Sequence, residues 1–154
     1  IDLRGNSGGY LSTVTNMISE FVDSKTVIYQ MKTRKGTTPY TSVNNKTKNY
    51  KIVVLVDENS ASASEIMASA MQEQYHATLV GVTTYGKGTV QEPKDLSNGT
   101  LIKYTIQEWL TSKGNSINDK GVKPDVEIEL SEDFKNNPIR ENDNQLQKAI
   151  EILK

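Results

Sequence analysis

The chain has 154 residues, with 18 Lys plus Arg against 19 Asp plus Glu and a formal net charge of −1. That length suits one domain whose core forms without disulfides, and the charge balance gives no electrostatic footprint for nucleic acid or an anionic membrane. Cysteine is absent and His76 is the only histidine, which excludes thiol catalysis and leaves no thiol and imidazole set for zinc.

Ile1 is not a start methionine, and Ile1-Asp2-Leu3-Arg4 reads as the tail of a strand already under way. A preceding segment, with any targeting signal, is therefore expected. Within the chain no stretch reaches the roughly 18 apolar residues of a membrane span, and no signal-peptide pattern is present. Arg4-Gly5-Asn6-Ser7-Gly8-Gly9 is a loop of turn formers. Leu11, Val14, Met17, Ile18, Phe21 and Val22 then fall at helical spacing, which predicts a helix from Leu11 to Val22. A short strand follows from Val27 to Met31, and the polar run from Lys32 to Asn49, with Gly36 and Pro39, reads as a hairpin or a loose surface loop.

Ile52-Val53-Val54-Leu55-Val56 is the kind of apolar run that lies buried on both faces of a sheet. The chain turns at Asp57-Glu58-Asn59-Ser60, and Ser62 to Tyr75 has helical composition. Thr78 to Val82 is a second buried strand. Beyond it, Thr89 to Pro93 and Leu101 to Ile106 are β-prone and joined through the turn Ser97-Asn98-Gly99, with Glu108 to Thr111 extending the β region. A loop at Gly121-Val122-Lys123-Pro124-Asp125 leads to a strand from Val126 to Leu130. After a polar stretch, Asn144 to Leu153 reads as an amphipathic helix. The order strand, helix, strand, helix, strand in the first half implies an α/β core with parallel pairing. Residues 1–130 form the core, and 131–154 a polar linker with a C-terminal helix.

The chemistry concentrates in two places. Ser60, Ser62 and Ser64 alternate at a strand-to-helix turn, where a nucleophile can be held exposed and the helix N-terminus favours a developing oxyanion. A serine at a helix start is otherwise an N-cap, and Ser60 is assigned that part. Serine needs a base. His76 lies near the far end of the same helix and cannot reach back, which disfavours a Ser-His-Asp arrangement. Lysine remains, because an amine stripped of water loses its proton more readily, and Lys87 stands apart from the other lysines by its flanking Gly86 and Gly88 after a buried strand. Gly81 to Gly88 nearly matches the phosphate-loop pattern G-x-x-x-x-G-K-[ST]. It has Gly88 at the last position, however, and a β-prone segment with Pro93 in place of the required helix, so nucleotide binding is rejected. The S-x-x-K pattern of serine β-lactamases is absent.

Four blocks in order, Asp2-Leu3-Arg4-Gly5-Asn6-Ser7-Gly8-Gly9, Ser60-Ala61-Ser62-Ala63-Ser64-Glu65, Tyr85-Gly86-Lys87-Gly88-Thr89-Val90-Gln91 and Gly121-Val122-Lys123-Pro124-Asp125, resemble the carboxyl-terminal processing peptidases, the tail-specific proteases of the S41 serine peptidase family. The resemblance runs from residue 1 to about 130. It implies that Ser62 is the nucleophile, Lys87 the base and Gln91 the partner that orients the lysine. It also implies oxyanion donors at the backbone of Ala63 and the Gly8-Gly9 pair, Gly9 being the better match, with Glu65 in support. Asn59 stands where the family usually has glycine. The implied fold is a core of the crotonase and caseinolytic-protease type, with a mixed sheet, helices packed on it and an extra β-hairpin region. The implied partners are protein or peptide substrates read at their C-termini, with no nucleic acid, and a membrane reached only through upstream segments. The whole protein is expected outside the cytoplasm or anchored to a membrane, with a PDZ domain ahead of the core. An unpaired sheet edge at residues 1–3 predicts association between copies. Hydrolysis by this dyad needs no metal or organic cofactor. The alternative reading is a catalytically impaired peptide-binding module on the same scaffold, which a serine-reactive probe distinguishes.

Overall fold

A computed structural model describes residues 1–44 and 48–154; the part of the polar run that falls on 45–47 lies outside the described residues. In chain order the elements are α1 (Leu11–Ser19), β1 (Val27–Thr33), β2 (Gly36–Thr41), β3 (Val53–Val56), α2 (Ala63–Gln74), β4 (Thr78–Gly81), β5 (Thr89–Asp95), β6 (Leu101–Thr111), β7 (Val126–Glu127), α3 (Glu132–Asn136), a 3₁₀ turn (Arg140–Asn142) and α4 (Asn144–Leu153). Parallel and antiparallel pairings divide between two sheets. One is parallel, in the order β3-β4-β7, and the other antiparallel, in the order β2-β1-β6-β5.

The all-apolar β3 and residues Leu79 to Gly81 of β4 are buried on both faces, as expected of strands covered by helices on either side. On one face Val54, Val56 and Leu79 join Ile66, Met67 and Met71 of α2 with Ile18, Ile28 and Trp109 in the main core. On the other, Val53, Leu55 and Val80 meet Ala149, with Leu146 and Ile152 of α4 alongside. The C-terminal helix thus covers one face of the parallel sheet. Asp2 makes an isolated parallel bridge to Leu55, with Leu3 N–H donating to the Leu55 carbonyl at 2.9 Å. Residues 1–3 accordingly continue the parallel sheet beyond β3.

One sequence expectation is revised and two are made definite. The first helix stops at Ser19, because the chain turns at Glu20 and brings Phe21 and Val22 into the core from outside the helix. The run from Lys32 forms an ordered hairpin with β1, although every residue of β2 is exposed and shows no apolar alternation. The two β-prone segments after Leu101 are one strand, β6, with a register shift opposite Val90 and Gln91. The outer part of the β5–β6 hairpin leaves Leu101, Ile102 and Tyr104 exposed. Among the described residues no helix is long and apolar enough to cross a membrane.

Candidate active site

The three serines separate by burial. Ser60 is 0% and Ser64 3% exposed, whereas Ser62 is only partly covered. Ser60 does not cap the helix, contrary to the expectation from sequence. Its hydroxyl donates to the Leu3 carbonyl at 2.8 Å and bonds with Asp57, bolting residues 1–3 to the exit of β3. The residue at the N-cap of α2 is Ser62, with φ 59° and ψ −121°. This backbone conformation carries about 1–3 kcal/mol of strain in a non-glycine residue, and a surrounding structure must impose it. It is the kind of sharp strand-to-helix turn that lifts a side chain off the sheet.

The imposing group is Glu65, wholly buried at 0% exposure. Its Oε2 accepts from the backbone N–H of Ser62 at 2.9 Å and of Lys87 at 2.8 Å. Its Oε1 accepts from the Thr84 hydroxyl at 2.6 Å and Gly86 N–H at 2.7 Å. One carboxylate oxygen therefore joins the serine turn to the lysine loop. Val122 N–H donates to Thr84 Oγ1 at 2.7 Å, and Thr84 N–H returns a bond to the Val122 carbonyl at 3.2 Å. Gly121, at φ +69°, admits this close approach; a Cβ there would lie 2.2 Å from the Thr84 carbonyl oxygen. The Gly121 to Asp125 block is thus a brace for the Lys87 loop. Thr84 is the member of this network that sequence reasoning missed; its one signal was a small hydroxyl residue just before Tyr85-Gly86-Lys87.

Glu65→Gln tests the network directly. An amide turns one oxygen into a donor facing two donors, so at least two donors lose their acceptor. At about 1–3 kcal/mol for each orphaned group, urea denaturation should show a loss of several kcal/mol. An unchanged midpoint would mean that Glu65 does not hold the two loops together.

The Gly5 to Gly9 loop completes the site. A Cβ on Gly8, at φ +105°, would meet Ala61 O at 2.8 Å, Ser62 Cβ at 2.9 Å and Ala63 N at 3.0 Å. Only glycine allows the loop so close to the serine turn. Gly8 N–H donates to Asn6 Oδ1 at 2.9 Å, and Asn6 in turn accepts from Ala61 N–H at 3.1 Å through its carbonyl. Gly9 N–H and Ala63 N–H have no partner among the described residues. Both residues line one cavity of about 330 Å³, with Leu3, Val14, Met17 and Met67 as its apolar wall.

The side chains of Lys87 and Gln91 are exposed. Among the described residues no hydrogen bond or ion pair joins the Lys87 ammonium to Ser62 or Gln91; the contact between the two halves is carried by backbone and Glu65. His76 is exposed just beyond the end of α2. The segment after Lys87 is the strand β5, so the helix that a phosphate loop requires is missing. Among the described residues no cluster of three His, Asp or Glu side chains could hold a metal ion.

The model of peptidase family S41 matches residues 1–128. Over 141 residues, 91% of this chain and 29% of the relative, it is 40% identical to the carboxy-terminal processing protease CtpB of Bacillus subtilis. The carboxy-terminal processing protease CtpA of the same organism is 41% identical over 84% of the chain and 28% of its own length. The chain thus spans less than a third of the curated relatives it matches. Among solved structures, the photosystem II D1 C-terminal processing protease superposes with a TM-score of 0.74 at 32% identity, over 87% of this chain and 36% of that one.

Proposed function

The chain belongs to peptidase family S41, and from that premise we propose that it is the core of a serine endopeptidase working through Ser62 and Lys87. The observation that carries this reading is the shared acceptor Glu65 Oε2, which ties the backbone of both residues to one point. Ser62 Oγ attacks the peptide carbonyl while neutral Lys87 Nζ takes its proton. The free N–H groups of Ala63 and Gly9 receive the oxyanion, a contribution of about 3–4 kcal/mol per donor in other hydrolases. Lys87 then protonates the leaving amine, and water repeats the cycle on the Ser62 ester. Gln91, four residues along the chain, orients the amine by accepting from it without supplying a charge that would keep it protonated. Because Lys87 is exposed as it stands, the substrate chain supplies the cover that dehydrates it.

The cavity beside Gly9 and Ala63 is walled by Leu3, Val14, Met17 and Met67, which suits an aliphatic side chain next to the scissile bond. The relatives are named for carboxy-terminal processing, and protein C-termini are the proposed substrates here. A fluorophosphonate probe on the full-length protein should label Ser62, as mapped by peptide mass. The kcat/KM on a peptide with an aliphatic C-terminal region should rise with pH as a single group loses its proton. Labelling confined to another residue, or a rate that falls as pH rises, would overturn the dyad; a peptide-binding module would bind and leave Ser62 unlabelled.

A further inference from the structure

Arg4 stands one residue before the Gly5 to Gly9 loop, with its side chain only 14% exposed. Its guanidinium is gripped on both edges. Nε and Nη2 donate to Asp2 Oδ1 and Oδ2 at 3.0 and 2.7 Å. Nη1 and Nη2 donate to Asp143 Oδ1 and Oδ2 at 3.0 and 2.8 Å, and Nη1 also reaches Gln145 Oε1 at 3.0 Å. Two bidentate pairs on one fork fix its plane as a single ion pair cannot. Asp143 and Gln145 are 3% and 1% exposed. Asp143 caps α4 by accepting from Leu146 N–H at 2.9 Å, and Gln145 donates to the Ile128 carbonyl at 2.7 Å just past β7. Burial pushes the Asp143 carboxyl up, but hydrogen bonds from Arg4 and Leu146 N–H, with the charge of Arg4, hold it below its ordinary value.

A cap needs one oxygen and no arginine. Burying a doubly engaged guanidinium at the root of a loop goes beyond what holding α4 requires, since its apolar face already packs on β3 and β4. We propose that Asp143 and Gln145 are positioning residues for catalysis: through Arg4 they set where the Gly9 N–H sits, which makes the C-terminal helix a working part of the site. This role presupposes the peptidase reading of Ser62. Both residues lie outside residues 1–128, the part of the chain that the family model matches.

The test uses the full-length protein with Asp143→Asn, which keeps an oxygen for the cap and removes the charge from the fork. Active sites are counted by fluorophosphonate labelling, and kcat and KM are measured per labelled site. A displacement of about 1 Å costs on the order of 100-fold in rate. The expected result is therefore a kcat at least about tenfold lower with KM changed by less than about twofold, and slower labelling to the same end point. A merely structural role would lower the number of labelled sites and leave kcat per site unchanged, which overturns the proposal. If Asp143→Asn does not fold, Gln145→Met, of similar volume, carries the same readout. Arg4→Gln combined with Asp143→Asn should be no slower than Arg4→Gln alone; additive losses would show that the two act separately. Absence of labelling at Ser62 in the unmutated protein sinks the peptidase reading instead, so the two failures are distinguishable.

Discussion

Replacing Ser62 by alanine should lower kcat on a peptide substrate by at least about 10⁴-fold, since loss of a nucleophilic serine removes nearly the whole chemical contribution of a catalytic unit. The fold should survive. Ser62 is partly exposed, and its strained backbone is held by Glu65 through the main chain, which alanine retains. Ser60→Ala and Ser64→Ala should keep most of their turnover per folded molecule, although Ser60→Ala also loses the hydroxyl bonds to Leu3 and Asp57, at about 1 kcal/mol each. The measurement is kcat with fluorophosphonate labelling on all three variants, alongside urea denaturation. Near-parental turnover in Ser62→Ala, with Ser64→Ala inactive, would move the nucleophile to the buried serine and overturn the mechanism.

The elements that were legible from sequence are those whose burial is imposed by periodicity. The apolar runs of β3 and β4 and the spacing in α4 gave the parallel sheet and its C-terminal helix. Local pattern gave Ser60 the cap, wrongly, and did not choose between Ser62 and Ser64; the family resemblance selected Ser62, and differential burial now separates it from Ser60 and Ser64. The β2 strand was ambiguous because its residues are all exposed; it is held by pairing with β1 and by the stacked rings of Tyr29 and Tyr40, and neither leaves a periodic mark. The contacts that hold the site were largely invisible because they are non-local and made by polar groups. Arg4 and Asp143 are 139 positions apart. Asp143 caps α4, and nothing near it in the sequence announces Arg4 as its second partner.

The motif blocks gain a physical account from these contacts. Gly8 is needed to admit the loop against Ser62, Glu65 to join two backbones, and Gly121 to seat Thr84 beneath the lysine loop. Each block contributes a close approach or a buried acceptor; Glu65 joins the second and third directly, and the fourth reaches it through Thr84. The first block enters separately, through Ser60 and Asn6 on one side and Arg4 on the other. Its position is therefore set partly by the core and partly by α4.

Lys87→Arg should be as inactive as Lys87→Ala, with kcat/KM down by about 10⁴-fold, because guanidinium stays protonated at any pH the protein tolerates and cannot accept the serine proton. The comparison isolates the base role unusually well in this molecule. The Lys87 side chain is exposed, and among the described residues the bond that Lys87 contributes to the network is its backbone N–H to Glu65, which every substitution short of proline preserves. An exposed replacement of this kind changes stability by no more than about 0.5 kcal/mol, so a melting curve superimposable on the parent should accompany the loss of activity. Arginine also keeps the positive charge, so its failure cannot be assigned to lost attraction for a substrate carboxylate. Alanine fails for want of any amine. The readout is kcat/KM across the pH range, with Tm for each variant. Turnover in Lys87→Arg above about a tenth of the parent would remove lysine from the base role and leave Ser62 in search of another.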